Sequence, residues 1–241
     1  MTDAHNPFTG NQDYWWYRAK AKFLKTYFSD YVGSSANVLD IGSADGPAVG
    51  FIDEILSRGK GKKTAMDIVP DGLGPDDIVA SVEAIPVADE TFTVVSAFDV
   101  IEHVEDEHKG LTEILRVLKP GGYFLMSVPA YQWAWSKHDV ELHHKRRYTT
   151  ERAAKALEKA GFRVLKKTYG FRSTFPFFAL QRLFTKITGR YSGEVPHVSP
   201  SMDKLFTKLC EHDVKALAKR KSLRYGSSVF IVGQRPPRKA K

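Results

Sequence analysis

The sequence has almost no cysteine. Of 241 residues only Cys210 carries a thiol, which excludes an intramolecular disulfide. Without that staple the fold must rest on a buried apolar core, and a reducing compartment agrees with it. Long hydrophobic runs are missing too. No stretch approaches the roughly 20 apolar residues that a bilayer-spanning helix needs. The opening "MTDAHNPFTG" lacks the basic head and apolar centre of a secretory signal. No internal repeat or low-complexity tract interrupts the chain. These absences lead to the expectation of a cytoplasmic protein with one large domain, or one domain carrying an insertion.

What is present supports a packed fold. Apolar residues make up 42% of the chain, enough for a substantial core. The formal charge of +8 suits either acidic partners, such as nucleic acid and anionic lipid, or a merely basic soluble protein. The last residues, "RPPRKAK", read as a frayed basic tail over 235–241.

Periodicity sets out the elements. Trp16, Ala19, Phe23 and Tyr27 recur at helical spacing, which predicts a helix over 14–30 within an N-terminal segment, 1–34. Strand and helix patterns then alternate. "NVLDI", "KTAMDI", "DIVAS", "FTVVSAF", "YFLMSVP", "FRVLKKTYGF" and a final "GSSVFIVGQ" read as strands. "AVGFIDEILSR", "EDEHKGLTEILRVL" and "TTERAAKALEKA" read as the helices between them. The third of these helices has Thr149 or Thr150 to cap it and Gly161 to end it; "KPGG" stops the second. Continuous apolar strands alternating with helices predict an α/β fold with a mostly parallel sheet covered on both faces. Residues 172–224 break the rhythm with two helical segments. They read as an insertion before the last strand, so the main domain is expected over 35–171 and 225–234.

The stretch "NVLDIGSADGP" carries the first chemical signal. Ligands of open α/β sheets bind beyond the carboxyl ends of the strands. Asp40 ends an apolar strand, and Gly42, Ala44 and Gly46 make the turn bare, which lets a ligand approach the backbone or the chain take positive φ. The next helix aims its N-terminus at the turn, which favours an anionic group. Asp67 closes the next strand, where a carboxylate can accept both hydroxyls of a ribose. Together they point to a nucleoside-bearing cofactor.

At this point the chain resembles the class I S-adenosylmethionine-dependent methyltransferases of the small-molecule type. "VLDIGSADG" is similar to their acid-x-Gly-x-Gly-x-Gly turn with Ala44 in the middle place, and "MDI" to their ribose acid. "VEAIPVADETFTVVSAFDVIEHV" and "ILRVLKPGGYFLMSVP" resemble the two later blocks. The resemblance covers about 37–171 plus the last strand. It implies a doubly wound, Rossmann-like, seven-stranded sheet with the last strand antiparallel, and S-adenosyl-L-methionine as cofactor. It implies cofactor contacts from Asp40, Gly42, Ser43, Ala44, Gly46, Asp67, Ile68, Ser81, Val82, Phe98 and Asp99. One departure is Ser81, where relatives often place an acid for the adenine amino group.

The acceptor side is expected around "AYQWAWSKHDVELHHKRRYTT". Trp133 and Trp135, with Tyr131, can wall an apolar or cation-accommodating pocket. The resemblance extends to a His-Asp, His, Arg-Arg-Tyr pattern. It implies a proton acceptor from His138 or His144 with Asp139 orienting an imidazole, and an anionic group held by Arg146 or Arg147 beside Tyr148. Glu102 and His103 fall after the fourth strand, inside the expected pocket. Tyr14, Trp15 and Arg18 are expected in a lid formed by the first helix. Spacing alone does not make a metal site of these histidines, so no metal is expected.

The reading is therefore methyl transfer to a small-molecule or lipid-linked acceptor, on oxygen. Nucleic acid is not favoured: "FDVIEH" stands where base-amino methyltransferases carry Asn/Asp-Pro-Pro-Tyr, and charge alone is a weak argument. The Phe-rich insertion leaves open a weak peripheral contact at the inner face of a membrane through 172–224. Two alternatives stay open: a non-catalytic cofactor-binding or scaffolding protein of the same fold, and an RNA methyltransferase.

Overall fold

The computed structural model describes residues 14–43, 50–189 and 198–238. Seven strands form one sheet in the order β3-β2-β1-β4-β5-β7-β6. They are β1 (Asn37–Ile41), β2 (Lys62–Asp67), β3 (Ile78–Val79), β4 (Phe92–Phe98), β5 (Leu118–Pro129), β6 (Arg163–Gly170) and β7 (Ser228–Gln234). β1 to β5 pair in parallel, and β7 runs antiparallel to both β5 and β6. This is the mostly parallel sheet that the apolar strand runs predict, with the doubly wound order and antiparallel last strand that the resemblance implies. β1, β4, β5 and β7 are buried along most of their length, which requires cover on both faces.

The helices are α1 (Trp15–Phe28), α2 (Gly50–Leu56), α3 (Glu107–Val117), α4 (Lys137–Glu141), α5 (Thr150–Lys159), α6 (Phe175–Thr188) and α7 (Pro200–Ala218). Their starts are chemically marked. The Asp106 side chain accepts from Lys109 N before α3, and the Thr149 side chain accepts from Arg152 N before α5, each cap worth about 1 kcal/mol. α1 buries Ala19, Lys20, Phe23, Leu24, Tyr27 and Phe28. Phe23 meets Phe171 at 4.6 Å and Phe230 at 5.8 Å, so α1 closes one face over the β6–β7 end.

Two local expectations are corrected. "KPGG" does not separate helix from strand: β5 begins at Leu118, and Gly121 takes φ +83° inside it. The register jumps from Phe92↔Leu118 to Val94↔Tyr123, so the glycines accommodate a bulge while Gly121 N bonds Arg235 O. The segment after β5 also holds more regular structure than a loop. A 3-10 turn spans Gln132–Ala134 and α4 follows, with a capping box between Ser136 and Asp139.

α6 and α7 lie between β6 and β7 in the chain. They dock against α1: Arg18 donates to Asp203 at 2.6 Å and to Thr207 at 3.3 Å, and Trp15 packs on Phe206 at 4.9 Å. Asp213, fully buried on α7, accepts from Ser173 N and Ser173 Oγ, both at 2.7 Å, and so ties the entry of α6 to α7.

Candidate active site

The order of the sheet reverses between β1 and β4, the place where an open α/β sheet leaves a crevice beyond its strand tips. Asp40 and Gly42 come from the β1 side, Phe98 and Asp99 from β4, and Asp67 from β2. Asp40 pairs laterally with Ser96, whose Oγ donates to Oδ1 at 2.6 Å. Its Oδ2 has no partner of hydrogen-bond geometry among the described residues, although Ser43 stands near it. Burial pushes the Asp40 carboxyl up to about 6, against the pull of the two serines.

Gly42 has φ +76°, so the turn needs a glycine there. A Cβ at this position would lie 2.3 Å from Val100 Cγ2. The bareness of Gly42 therefore serves close packing with Val100 as well as the turn. Ala44 and Gly46 lie outside the described residues.

Asp67 sits half-buried at the end of β2 and accepts from Val69 N at 3.1 Å. Beside it Ile68 is 71% exposed, an apolar ledge at the strand tips. Ser81 is half-buried and accepts from Glu83 N, while Val82 is buried. Asp99 holds φ +57° and is fixed from two sides. Its amide bonds Ser127 O at 2.9 Å, and Ser127 Oγ donates to Oδ1 at 3.1 Å.

The remaining Asp99 oxygen takes a salt bridge from Lys20, a residue whose role the sequence reading missed. Lys20 is 2% exposed, and its ammonium lies 5.1 Å from the Trp16 ring. The signal was present: Lys20 falls four residues after Trp16 and three before Phe23, on the buried face of α1. A lysine there has to find a carboxylate.

The acceptor-side residues gather around Asp139, which is fully buried. Its Oδ1 receives His144 Nδ1 at 2.9 Å and Arg147 Nε at 2.7 Å, while Oδ2 accepts from Ser136 N at 2.9 Å. Burial alone would raise this carboxyl, but His144 and Arg147 override it and hold it well below the usual carboxylate range. His138 is half-buried on α4. Burial and the Arg182 charge push it down to about 4.

Arg147 and Tyr148, expected beside an anionic group, are turned into the protein. Arg147 is 4% exposed, and besides Asp139 it donates to Ala130 O at 3.1 Å. Tyr148 is fully buried, and its hydroxyl donates to Glu107. Both turn inward because the segment after β5 returns beside its own start: Tyr148 N bonds Pro129 O, and Tyr131 N bonds Tyr148 O. Arg146 is half-buried and donates to Glu105 O.

Glu102 is 1% exposed, and neither carboxylate oxygen has a hydrogen-bond partner among the described residues. Burial, then repulsion by Asp99, raises its carboxyl well above the usual value. His103 and His144 meet edge to face at 4.6 Å. One ligating atom each from Glu102, His103 and His144 all lie within 4.8 Å of one another. Crowding by protein and by the His144 imidazole pushes His103 down to about 4, although part of its surface stays open. Trp133 is 46% exposed and stacks on Tyr131, which stacks in turn on Tyr169. Trp135 is half-buried.

An acid at each of two neighbouring strand tips, beside the point where the strand order reverses, is the arrangement expected of a nucleoside-binding site in an open α/β sheet. The methyltransferase-domain family matches residues 14–167, well over half of the chain, and the chain belongs to that family. A "probable S-adenosylmethionine-dependent methyltransferase" of Mycolicibacterium smegmatis is 32% identical over 134 residues, 46% of this chain and 52% of that protein. A ubiquinone/menaquinone biosynthesis C-methyltransferase of Klebsiella pneumoniae is 33% identical over 103 residues, 43% of this chain and 37% of that protein. The chain thus spans about half the length, or less, of these curated relatives. A methyltransferase of Archaeoglobus fulgidus shares the fold at TM-score 0.56 and 17% identity, covering 94% of this chain and 96% of that one. Phosphoethanolamine N-methyltransferase 2 of Haemonchus contortus, solved with S-adenosyl-L-methionine, gives 0.55 and 16%, covering 91% and 53%.

The residues present fit the family's cofactor. Asp40 offers a buried carboxylate oxygen with no partner of hydrogen-bond geometry among the described residues, Asp67 an acid at the next tip, and Ile68 an exposed apolar face.

Proposed function

We propose that the protein methylates an oxygen of a small-molecule or lipid-like acceptor. The reading is carried by the contact between His144 and the buried Asp139. Bound S-adenosylmethionine supplies a methyl group already activated by a cationic sulfur, so the protein has mainly to position and align the acceptor. Asp40 receives the cofactor's ammonium, Asp67 its ribose hydroxyls, and Ile68, Ser81 and Val82 its adenine. Gly42, Ser43, Phe98 and Asp99 border the amino-acid end.

Removal of the acceptor's proton falls to His144. Asp139 accepts from Nδ1–H and so fixes the tautomer that leaves Nε2 basic. His138 is the weaker choice, because a histidine held near 4 takes a proton poorly. Glu102, His103, Trp133, Trp135 and Arg146 frame the acceptor. Arg147 and Tyr148 act as positioning residues: one holds Asp139, the other locks the segment against α3 through Glu107.

The test is calorimetry with S-adenosylmethionine and S-adenosylhomocysteine, followed by methyl-transfer assays on phenolic, hydroxy-acid and lipid-linked acceptors. Failure of both compounds to bind at millimolar concentration would sink the reading. Tight binding without turnover on any acceptor class would favour the scaffolding alternative.

A further inference from the structure

α6 is inside out. It spans Phe175–Thr188, and not one of its residues is fully buried. Phe177, Leu180, Leu183, Phe184 and Ile187 are 45%, 66%, 55%, 57% and 75% exposed. At helical spacing these five fall on one arc about 120° wide. Two polar side chains turn the other way, toward the segment after β5: the half-buried Arg182 and the exposed Lys186. Arg182 reaches back to Ser136 Oγ and lies 5.1 Å from the Phe178 ring, and Lys186 donates to Trp133 O. Phe175 anchors the helix start against Tyr131 at 5.4 Å. A helix that ties its two cations back to a neighbouring segment and leaves its large apolar residues outward is not solvated as a globular surface normally is.

We propose that this face docks on an anionic lipid bilayer, with α6 lying in the plane of the interface. Charge selects this occupant. α6 contains no Asp or Glu. Phe177 meets Phe206 at 5.3 Å, which sets the start of α7 beside the patch, where Leu205 is 42% exposed between the exposed Lys204 and Lys208. Asp203, the nearby acid, is neutralised by Arg18. The patch thus has an apolar centre and a cationic rim, which suits acyl chains below a phosphate layer. Trp133 and Tyr225, 46% and 45% exposed, both lie near Phe175, and aromatic side chains of this kind favour the headgroup level. The same contacts set the inward side of α6 against the segment after β5, to which the proposed function gives the acceptor. Docking itself does not depend on the methyl-transfer reading.

The experiment uses the full chain and sedimentation with phosphatidylcholine vesicles, with and without phosphatidylglycerol. The wild type is expected to sediment with the anionic vesicles at low salt and to be released by salt. The double substitution Leu180→Glu, Ile187→Glu is expected to weaken that binding at least about tenfold. It should leave the thermal midpoint and S-adenosylhomocysteine affinity unchanged, because both side chains are exposed. Wild-type protein staying in the supernatant with anionic vesicles at low salt overturns the proposal. Equal binding to pure phosphatidylcholine overturns the charge argument. A dimer in light scattering that the double substitution converts to monomer assigns the face to a second copy of the chain instead.

Discussion

Asp139 and His144 meet at 2.9 Å, carboxylate Oδ1 to imidazole Nδ1, with the carboxylate fully buried. One oxygen therefore orients the imidazole while also neutralising Arg147. The two halves of this arrangement separate by mutation.

Removing the imidazole tests the chemistry. His144→Ala is expected to lower kcat by about 10²–10⁴-fold and leave S-adenosylhomocysteine affinity unchanged. Unchanged turnover would remove His144 from the mechanism. With His144 as the proposed proton acceptor, activity should also survive exhaustive chelation. Loss of activity to a chelator, restored by zinc, would mean that Glu102, His103 and His144 hold a cation instead.

Removing the carboxylate tests the scaffold. Asp139→Ala leaves the buried Arg147 uncompensated, which costs about 3–5 kcal/mol. The readout is the thermal or urea midpoint, with Arg147→Met alongside. The double variant should recover part of the loss, since it buries neither charge alone. The sign with pH follows from the depressed carboxyl. Its contribution is present above the unfolded value of about 4 and is lost as pH falls through the lower folded value.

Asp40 runs the opposite way. Burial raises its carboxyl to about 6, so its contribution to the free protein's stability is complete below the unfolded value and lost as pH rises through about 6. The proposed contact with the cofactor's ammonium requires the ionised form. Affinity should be full above that pH and fall about tenfold per unit below it. Calorimetry of S-adenosylhomocysteine between about pH 5 and 7.5 gives the profile. Asp40→Asn should flatten it, and Ser96→Ala, which removes a hydrogen bond to the charged form, should move the break upward. A flat wild-type profile would exclude Asp40 as the ammonium partner.

Asp67 carries the ribose assignment. Asp67→Ala should weaken the cofactor by about 1.5–3 kcal/mol, the worth of hydrogen bonds to a charged group, without changing the thermal midpoint of the free protein. Asp67→Asn should lose less, because the amide oxygen still accepts. Equal affinity in all three proteins would place the ribose elsewhere.

Much of this protein was legible in the sequence. Strand periods and apolar runs located all seven strands, and β1 and β4 have the bounds that "NVLDI" and "FTVVSAF" give. The acids at strand ends could be picked out because a strand's end fixes which tip a residue occupies. Side-chain direction could not be read in the segment after β5, which has no long period. There the tertiary return of Tyr148 onto Pro129 turned Arg147 and Tyr148 into the core. Gly42 is bare partly for Val100, fifty-eight residues away in the chain, a contact no local pattern announces. Local patterning thus determined the layers, the strand tips and the kinds of group near them. Only the packing of distant segments decided which carboxylate holds which cation, because a buried charge takes its partner from space and not from sequence.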